Sequence, residues 1–203
     1  MLVIMLRRTS LLGSFLSLSL PATALAHTGH VTHSFLAGVL HPLGGLDHLL
    51  AMVAVGLLAG CSAGRLRWGL PVSFVMAMVV GAMIGAGGVD VPFIEIGIAL
   101  SLVAFGTALV WKQTFRAPVL VGLTAGFALF HGHAHGAEMG ADLSAASYGI
   151  GFVMSTALLH AFGVLISTRM VQSGQQLSLV RWGGSAIAAV GAVSLGLLLV
   201  IPG

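Results

Sequence analysis

The sequence predicts an all-α fold: a polytopic membrane protein built as a bundle of six transmembrane helices that follows a cleavable signal peptide. Hydrophobic residues make up 58% of the 203 residues and charged residues only 6%, whereas a soluble domain carries roughly 25% charged residues. The apolar residues form long stretches, and the few basic residues lie in the short segments between them. The lipid bilayer is therefore the expected solvent and the first expected partner of this chain.

The start of the chain has the organisation of a secretory signal. Two arginines precede an apolar run over residues 11–20, and Ala24 and Ala26 complete an A-x-A cleavage site. The run is too short for a good transmembrane helix. We therefore predict a signal peptide over residues 1–26 and a transmembrane domain over residues 27–203, with an uncleaved anchor as the alternative.

Six further apolar stretches are each long enough to cross a hydrocarbon layer of ~30 Å as a helix that rises about 1.5 Å per residue. They cover approximately residues 35–60, 68–87, 92–111, 117–135, 147–168 and 182–201. Every Lys and Arg after the signal falls in three connections that would share one side of the membrane. Because cytoplasmic loops collect basic residues, both termini are predicted to be periplasmic, in the inner membrane of a bacterium. Trp68, Trp111 and Trp182 lie beside these basic residues, as interfacial aromatic anchors do.

Composition also excludes two classes of function. The net charge of +3 comes from only eight dispersed basic residues, so no nucleic-acid partner is expected. Cys61 is the single cysteine, which excludes an intramolecular disulfide and a CxxC metal site.

Glycines at a four-residue spacing include Gly56/Gly60/Gly64, Gly81/Gly85 and Gly122/Gly126. Small residues at this spacing predict close packing of helices. The packing is expected within one bundle or between chains, which leaves a homo-oligomer open.

The first span contains ionisable residues, which cost about 2.5–3.5 kcal/mol each inside a membrane and are functional candidates. It includes the segment His41-Pro42-Leu43-Gly44-Gly45-Leu46-Asp47-His48. On a regular helix the two histidines would lie about 10 Å apart along the axis, too far to hold one metal ion. The proline and the two glycines predict an interruption there. Asp47 is then expected either to bind a metal directly or to accept a hydrogen bond from a ligand imidazole.

The fourth span ends in a second polar segment, from Phe130 to Glu138. His131 and His135 are neighbours on one helix face, a common chelating spacing, and Glu138 continues that face. His133 projects about 160° away, and is expected to meet another helix, lipid headgroups or water before the same ion, although it stays a further candidate ligand. The two segments together predict a metal site, with the ligands His41, Asp47, His48, His131, His135 and Glu138.

Isolated polar residues extend the candidate path. Glu95 lies near the outer end of its span and His160 lies deeper in the bundle; each is either a further metal ligand or a hydrogen-bond partner between helices. Signal cleavage would free a tail with His27, His30 and His33, which is either a metal-capture arm or a polar tail. Distances along the helices, at about 1.5 Å per residue, place most of these polar groups in the outer half of the bundle and His160 nearer the cytoplasmic side. This order predicts movement from the periplasm to the cytoplasm.

The ligand types leave the metal open. Neutral imidazole suits nickel, zinc, copper and iron, so Ni²⁺, Co²⁺, Zn²⁺ and copper all remain candidates. The nine methionines are scattered, which argues mildly against a Cu(I) site. The sequence has no Walker loop, so we expect facilitated diffusion or coupling to an ion gradient instead of ATP hydrolysis.

At these residues the sequence resembles the HupE/UreJ family of small membrane proteins. The resemblance includes both polar segments, the Glu95 region and the segment Ser155-Thr156-Ala157-Leu158-Leu159-His160, and it covers essentially the mature chain. It implies uptake of nickel or cobalt for the maturation of hydrogenase or urease, with the metal as cargo and no catalytic cofactor. It also implies metal-site roles for the six ligands named above.

Two alternatives belong to other classes of function. An intramembrane zinc-dependent hydrolase would use several histidines as ligands and Asp47 or Glu138 as general base for a bound water. A membrane metal sensor or accessory protein would bind the ion without moving it. The transport hypothesis predicts that the protein is not an enzyme.

Overall fold

The computed structural model describes residues 35–111, 115–139, 145–172 and 176–200. Within these ranges the chain is all-helical, as predicted, with seven helices. They are α1 (Phe35–Gly44), α2 (Leu46–Gly60), α3 (Leu66–Ala86), α4 (Ile94–Val110), α5 (Ala117–Met139), α6 (Ala145–Gln172) and α7 (Gln176–Val200). The predicted signal peptide and the histidines His27, His30 and His33 lie outside the described residues.

The helices divide by length into candidate membrane spans and shorter elements. α3, α5, α6 and α7 are long and apolar enough to cross a membrane, and α1 and α2 together form a fifth candidate that is bent by 88°. α4 is apolar but has only 17 residues. The described part of the chain therefore has four or five candidate spans by length and composition, as expected of a multi-pass membrane protein.

The first predicted span, residues 35–60, is two helices instead of one. α1 ends at Gly44 and α2 begins at Leu46, and the residue between them, Gly45, has the extended backbone angles φ −104° and ψ 118°. The predicted interruption is therefore confirmed. Pro42 lies inside α1, so the break falls at the glycine that follows and not at the proline.

Glycine contacts determine how α3 and α5 pair. Gly81 and Gly85 of α3 face the α5 backbone, and Gly132 and Gly136 of α5 face the α3 backbone. A Cβ atom on any of the four would overlap the facing main chain. These contacts confirm the predicted role of the Gly81/Gly85 spacing, and they bring the α5 segment with its histidines directly against α3.

The other glycine spacings have different outcomes. Gly56 and Gly60 lie against α6, so close packing is confirmed there. Gly64 has a left-handed φ of 60° in the turn before α3. Gly122 and Gly126 have no atom of the described chain within 4 Å of an added Cβ, and their spacing therefore does not mark a helix contact inside this bundle.

α2 occupies the centre of the bundle and packs against α3, α4 and α6. Its side chains from Ala51 to Ala59 are mostly buried, and large side chains of the neighbouring helices, including Phe74 and Phe105, complete the core. The three tryptophans are exposed, as expected of aromatic anchors. The polar residues of the candidate site lie at the end of this core where α2 begins.

Candidate metal centre

The bend at Gly45 places His41 and His48 on different helices, and both rings then contact α5. The ring centroid of His135 lies 4.7 Å from that of His41 and 4.3 Å from that of His48. The His48 ring also lies 4.6 Å from the His131 ring. The structure thus brings together the four histidines His41, His48, His131 and His135, called the histidine cluster below.

The outer part of the site combines one residue of α1 with two residues of α5. His41, His135 and Glu138 each offer one ligand atom, and these atoms lie within 4.8 Å of one another. The separation between His41 Nε2 and Glu138 Oε2 is 3.8 Å. Ligands that share one ion at 2.0–2.2 Å are themselves about 3–4 Å apart. A small contraction would therefore let these three groups bind one ion.

Asp47 orients the ring of His48. One Asp47 carboxylate oxygen, Oδ1, accepts a hydrogen bond from the His48 backbone N–H at 2.8 Å and from its ring Nδ1 at 3.0 Å. Because an ionised carboxylate only accepts, Nδ1 carries the proton and Nε2 keeps a lone pair. His48 Nε2 is buried, with no hydrogen-bond partner among the described residues. Of the two roles expected for Asp47, this geometry matches the positioning of a ligand imidazole.

Ser101 acts on His131 in a similar way. Its hydroxyl donates to the Ile98 carbonyl at 2.6 Å, so at 2.9 Å it accepts from His131 Nε2. The remaining ring nitrogen, Nδ1, keeps a lone pair and has no partner among the described residues. The His131 side chain is fully buried. Two imidazoles that touch, those of His48 and His131, therefore each have one nitrogen free to bind a cation.

His133 and Glu95 lie apart from the histidine cluster. His133 Nε2 donates to the Val89 carbonyl at 2.7 Å, which ties α5 to the segment between α3 and α4. Glu95 is exposed in the first turn of α4.

His160 is also separate from the histidine cluster. Its side chain is buried, and its ring lies 5.1 Å from the ring of Phe74. The same phenylalanine ring also lies 5.8 Å from the ring of His131. Phe74 therefore contacts both His160 and a member of the cluster.

Several residues of the site were not predicted from the sequence. Tyr148 and Phe152 of α6 pack their rings around His41 and His135, and Ser101 bonds His131. A hydroxyl in an apolar span is a weak signal that could have identified Ser101. The two aromatic residues carry no such signal, because aromatic side chains that face lipid look the same in a sequence.

The fold and the site together define a class: a multi-pass helical membrane protein in which imidazole and carboxylate side chains converge between the helices. The chain belongs to the HupE/UreJ family, since the family described as HupE / UreJ protein matches residues 15–194. It is also similar to "Protein HupE" of Rhizobium leguminosarum bv. viciae, at 39% identity over 180 residues, which cover 88% of this chain and 93% of that protein. No solved structure matches. The family resemblance noted in the sequence is confirmed.

Proposed function

We propose that this protein is a permease or secondary transporter that moves a divalent transition metal ion, nickel first among the candidates, from the periplasm to the cytoplasm. Membership of the HupE/UreJ family, which is associated with nickel or cobalt transport for hydrogenase or urease, supports this proposal and does not favour a hydrolase. The observation that carries it is the convergence of His41, His135 and Glu138 within 4.8 Å. In this proposal the ion is cargo and the protein is not an enzyme.

The exposure of the ligands supports an ordered path. Glu138 is exposed and His41 is partly exposed, whereas His135 and His131 are buried. A hydrated cation would meet a carboxylate first and then exchange its waters for imidazole nitrogens. His48 would bridge the outer and inner ligands, because its ring contacts both His131 and His135. Stepwise exchange of this kind allows an ion to bind and still leave.

The same proposal includes the topology. α1 and α2 would form one broken span and α4 a short one, which gives six crossings with periplasmic termini. Broken helices are tolerated in a membrane where their free backbone groups line a cavity or protein, and transporters use such breaks at their ion sites. The bend of 88° between α1 and α2 lies between the candidate ligand His41 and Asp47, the carboxylate that orients His48.

Flux into proteoliposomes that contain only this chain tests the proposal. With Ni²⁺, Co²⁺, Zn²⁺ and Cu²⁺ compared at equal concentration, we expect nickel entry well above protein-free liposomes. The double variant His48→Ala/His131→Ala should lower nickel entry by at least about 100-fold, because the variant lacks two histidines of the cluster. Ser167→Ala is the control, because it is a buried change on α6 outside the histidine cluster. Unchanged nickel flux in the double variant would refute the proposed site, and no metal flux with the unmodified protein would refute transport.

Asp47→Asn tests the positioning of His48. The amide keeps the size of the side chain but can present an N–H to Nδ1, so the ring loses the partner that holds its proton there. Losing such a partner typically weakens metal binding about 10–100-fold, and we expect a loss in that range by equilibrium dialysis with Ni²⁺. Asp90→Asn, at an exposed carboxylate outside the helices, should bind as tightly as the unmodified protein. Equal affinities for both variants would show that Asp47 does not orient a ligand.

A further inference from the structure

Resting on that proposed function, we propose that His160 belongs to a second, inner binding station for the same transition-metal ion, built by α3 and α6 beside Phe74. The station consists of His160, Thr156 and Met78. His160 is not one of the four histidines of the cluster, and the Phe74 ring contacts both His160 and His131.

The first support is the state of the His160 ring. Its side chain is 1% exposed, and both ring nitrogens lack a hydrogen-bond partner among the described residues. A buried polar group without a hydrogen-bond partner destabilises the fold, so a histidine that only holds the fold together would bond to a neighbour. Among the buried side chains that the structure describes, His135 alone shares the property. His135 is the residue at the centre of the candidate metal centre.

The second support is the set of donor atoms beside the ring. Thr156 lies one helical turn before His160, and its hydroxyl donates to the Met78 sulfur at 3.9 Å. Met78 lies one turn after Phe74, which contacts the His160 ring. Residues four apart on a helix are neighbours, about 5–6 Å between Cβ atoms. Imidazole nitrogen, thioether sulfur and hydroxyl oxygen therefore lie together between α3 and α6.

Their chemistry points to a borderline or soft cation. Imidazole and thioether ligands suit transition metals, whereas Mg²⁺ and Ca²⁺ require an oxygen shell. Thr156 and Met78 are almost completely buried, at 0% and 1% exposure. An ion that reached this place would have exchanged most of its water, so the station would select for nickel-like ions over hard ones.

The third support is continuity with the outer site. Tyr148, Phe152, Thr156 and His160 follow one another at one helical turn along α6, and all four are buried. The first two contact the histidine cluster, and the last two face α3. His160 is eight residues beyond Phe152, hence about 12 Å further along the helix. An ion that leaves His131 would pass the Phe74 ring, which contacts both His131 and His160.

The test uses the full chain in lipid nanodiscs. Co²⁺ is titrated while its visible ligand-field absorption is recorded, and bound Ni²⁺ is counted by equilibrium dialysis. The unmodified protein should bind two equivalents of the metal ion. In His160→Leu the affinity for the second equivalent should be at least about tenfold weaker, while the first equivalent still binds. His48→Ala/His131→Ala should instead lose the first equivalent and keep the second. Nickel flux into proteoliposomes should also fall at least about tenfold in His160→Leu but not in Ser167→Ala.

Each outcome decides the proposal. A second equivalent that survives in His160→Leu overturns the inner station, whether or not the protein transports. A second equivalent that is lost without any fall in flux also overturns it, because the ion would then bind off the path. If the unmodified protein shows no flux, transport fails as the proposed function, and the titration still decides whether the station exists. His160→Gln, which keeps a polar side chain but no imidazole, replaces the leucine variant if that one does not fold.

Discussion

Replacing His135 with alanine is expected to abolish nickel binding at the outer site and nickel uptake by cells. His135 contacts both His41 and His48, and both of its ring nitrogens are free of hydrogen bonds within the described residues. The variant removes the ligand that contacts both His41 of α1 and His48 of α2. Loss of a residue that merely supports a ligand costs about 10–100-fold, so we expect at least about 100-fold weaker binding.

The matched control for His135→Ala lies two residues away. His133→Ala removes a buried histidine from the same helix, but that ring donates to the Val89 carbonyl and lies outside the histidine cluster. It should lower thermal stability, because a buried hydrogen bond is lost, yet keep nickel affinity within about threefold. Equilibrium dialysis with Ni²⁺ on the purified proteins compares the two. Equal losses of affinity in both variants would contradict the assignment of His135 as the central ligand.

Replacing Gly136 with leucine is expected to disrupt the pairing of α3 and α5. Even the Cβ atom of the new side chain would overlap the backbone of Ala82, so the two helices must separate. Overpacking costs about 1–3 kcal/mol when side chains can adjust, and more when main chain must move. Because His135 and Glu138 flank this position, we expect loss of metal binding together with a lower melting temperature.

Gly122→Leu is the control on the same helix. Gly122 is exposed, and an added Cβ has no atom of the described chain within 4 Å. We expect its melting temperature and its monodispersity in detergent to match those of the unmodified protein, while Gly136→Leu yields little folded material. A Gly136→Leu protein that melts normally and binds nickel normally would show that the close contact between α3 and α5 is not required. Destabilisation by Gly122→Leu would instead indicate a contact with another copy of the chain.

Some features of the site could be predicted because they depend on neighbours in the chain. His131, His135 and Glu138 share a face of α5 since a helix repeats every 3.6 residues, whatever surrounds it. The same rule directed His133 elsewhere, and the structure places it on Val89. The interruption near Gly45 followed from local composition as well, although its position relative to Pro42 did not.

Other features depend on contacts between distant parts of the chain. Ser101 and His131 are 30 residues apart, and His133 and Val89 are 44 apart, so no periodicity within one helix could pair them. The Gly122/Gly126 spacing resembles Gly81/Gly85 in sequence, yet only the second pair faces another helix. Which face a small residue presents to a neighbour depends on the packing of the whole bundle.

The sequence by itself determined the class of the protein and most of its candidate ligands, because hydropathy, helical spacing and the cost of ionisable groups in lipid are local properties. Only the tertiary structure decided that these ligands meet. The bend of 88° at Gly45 redirects His41 and His48 toward α5, and the glycine contacts bring α3 against α5, where the Phe74 ring contacts both His131 and His160. The bend angle and the packing of α3 result from many long-range contacts acting together, so they could not be predicted from any one segment.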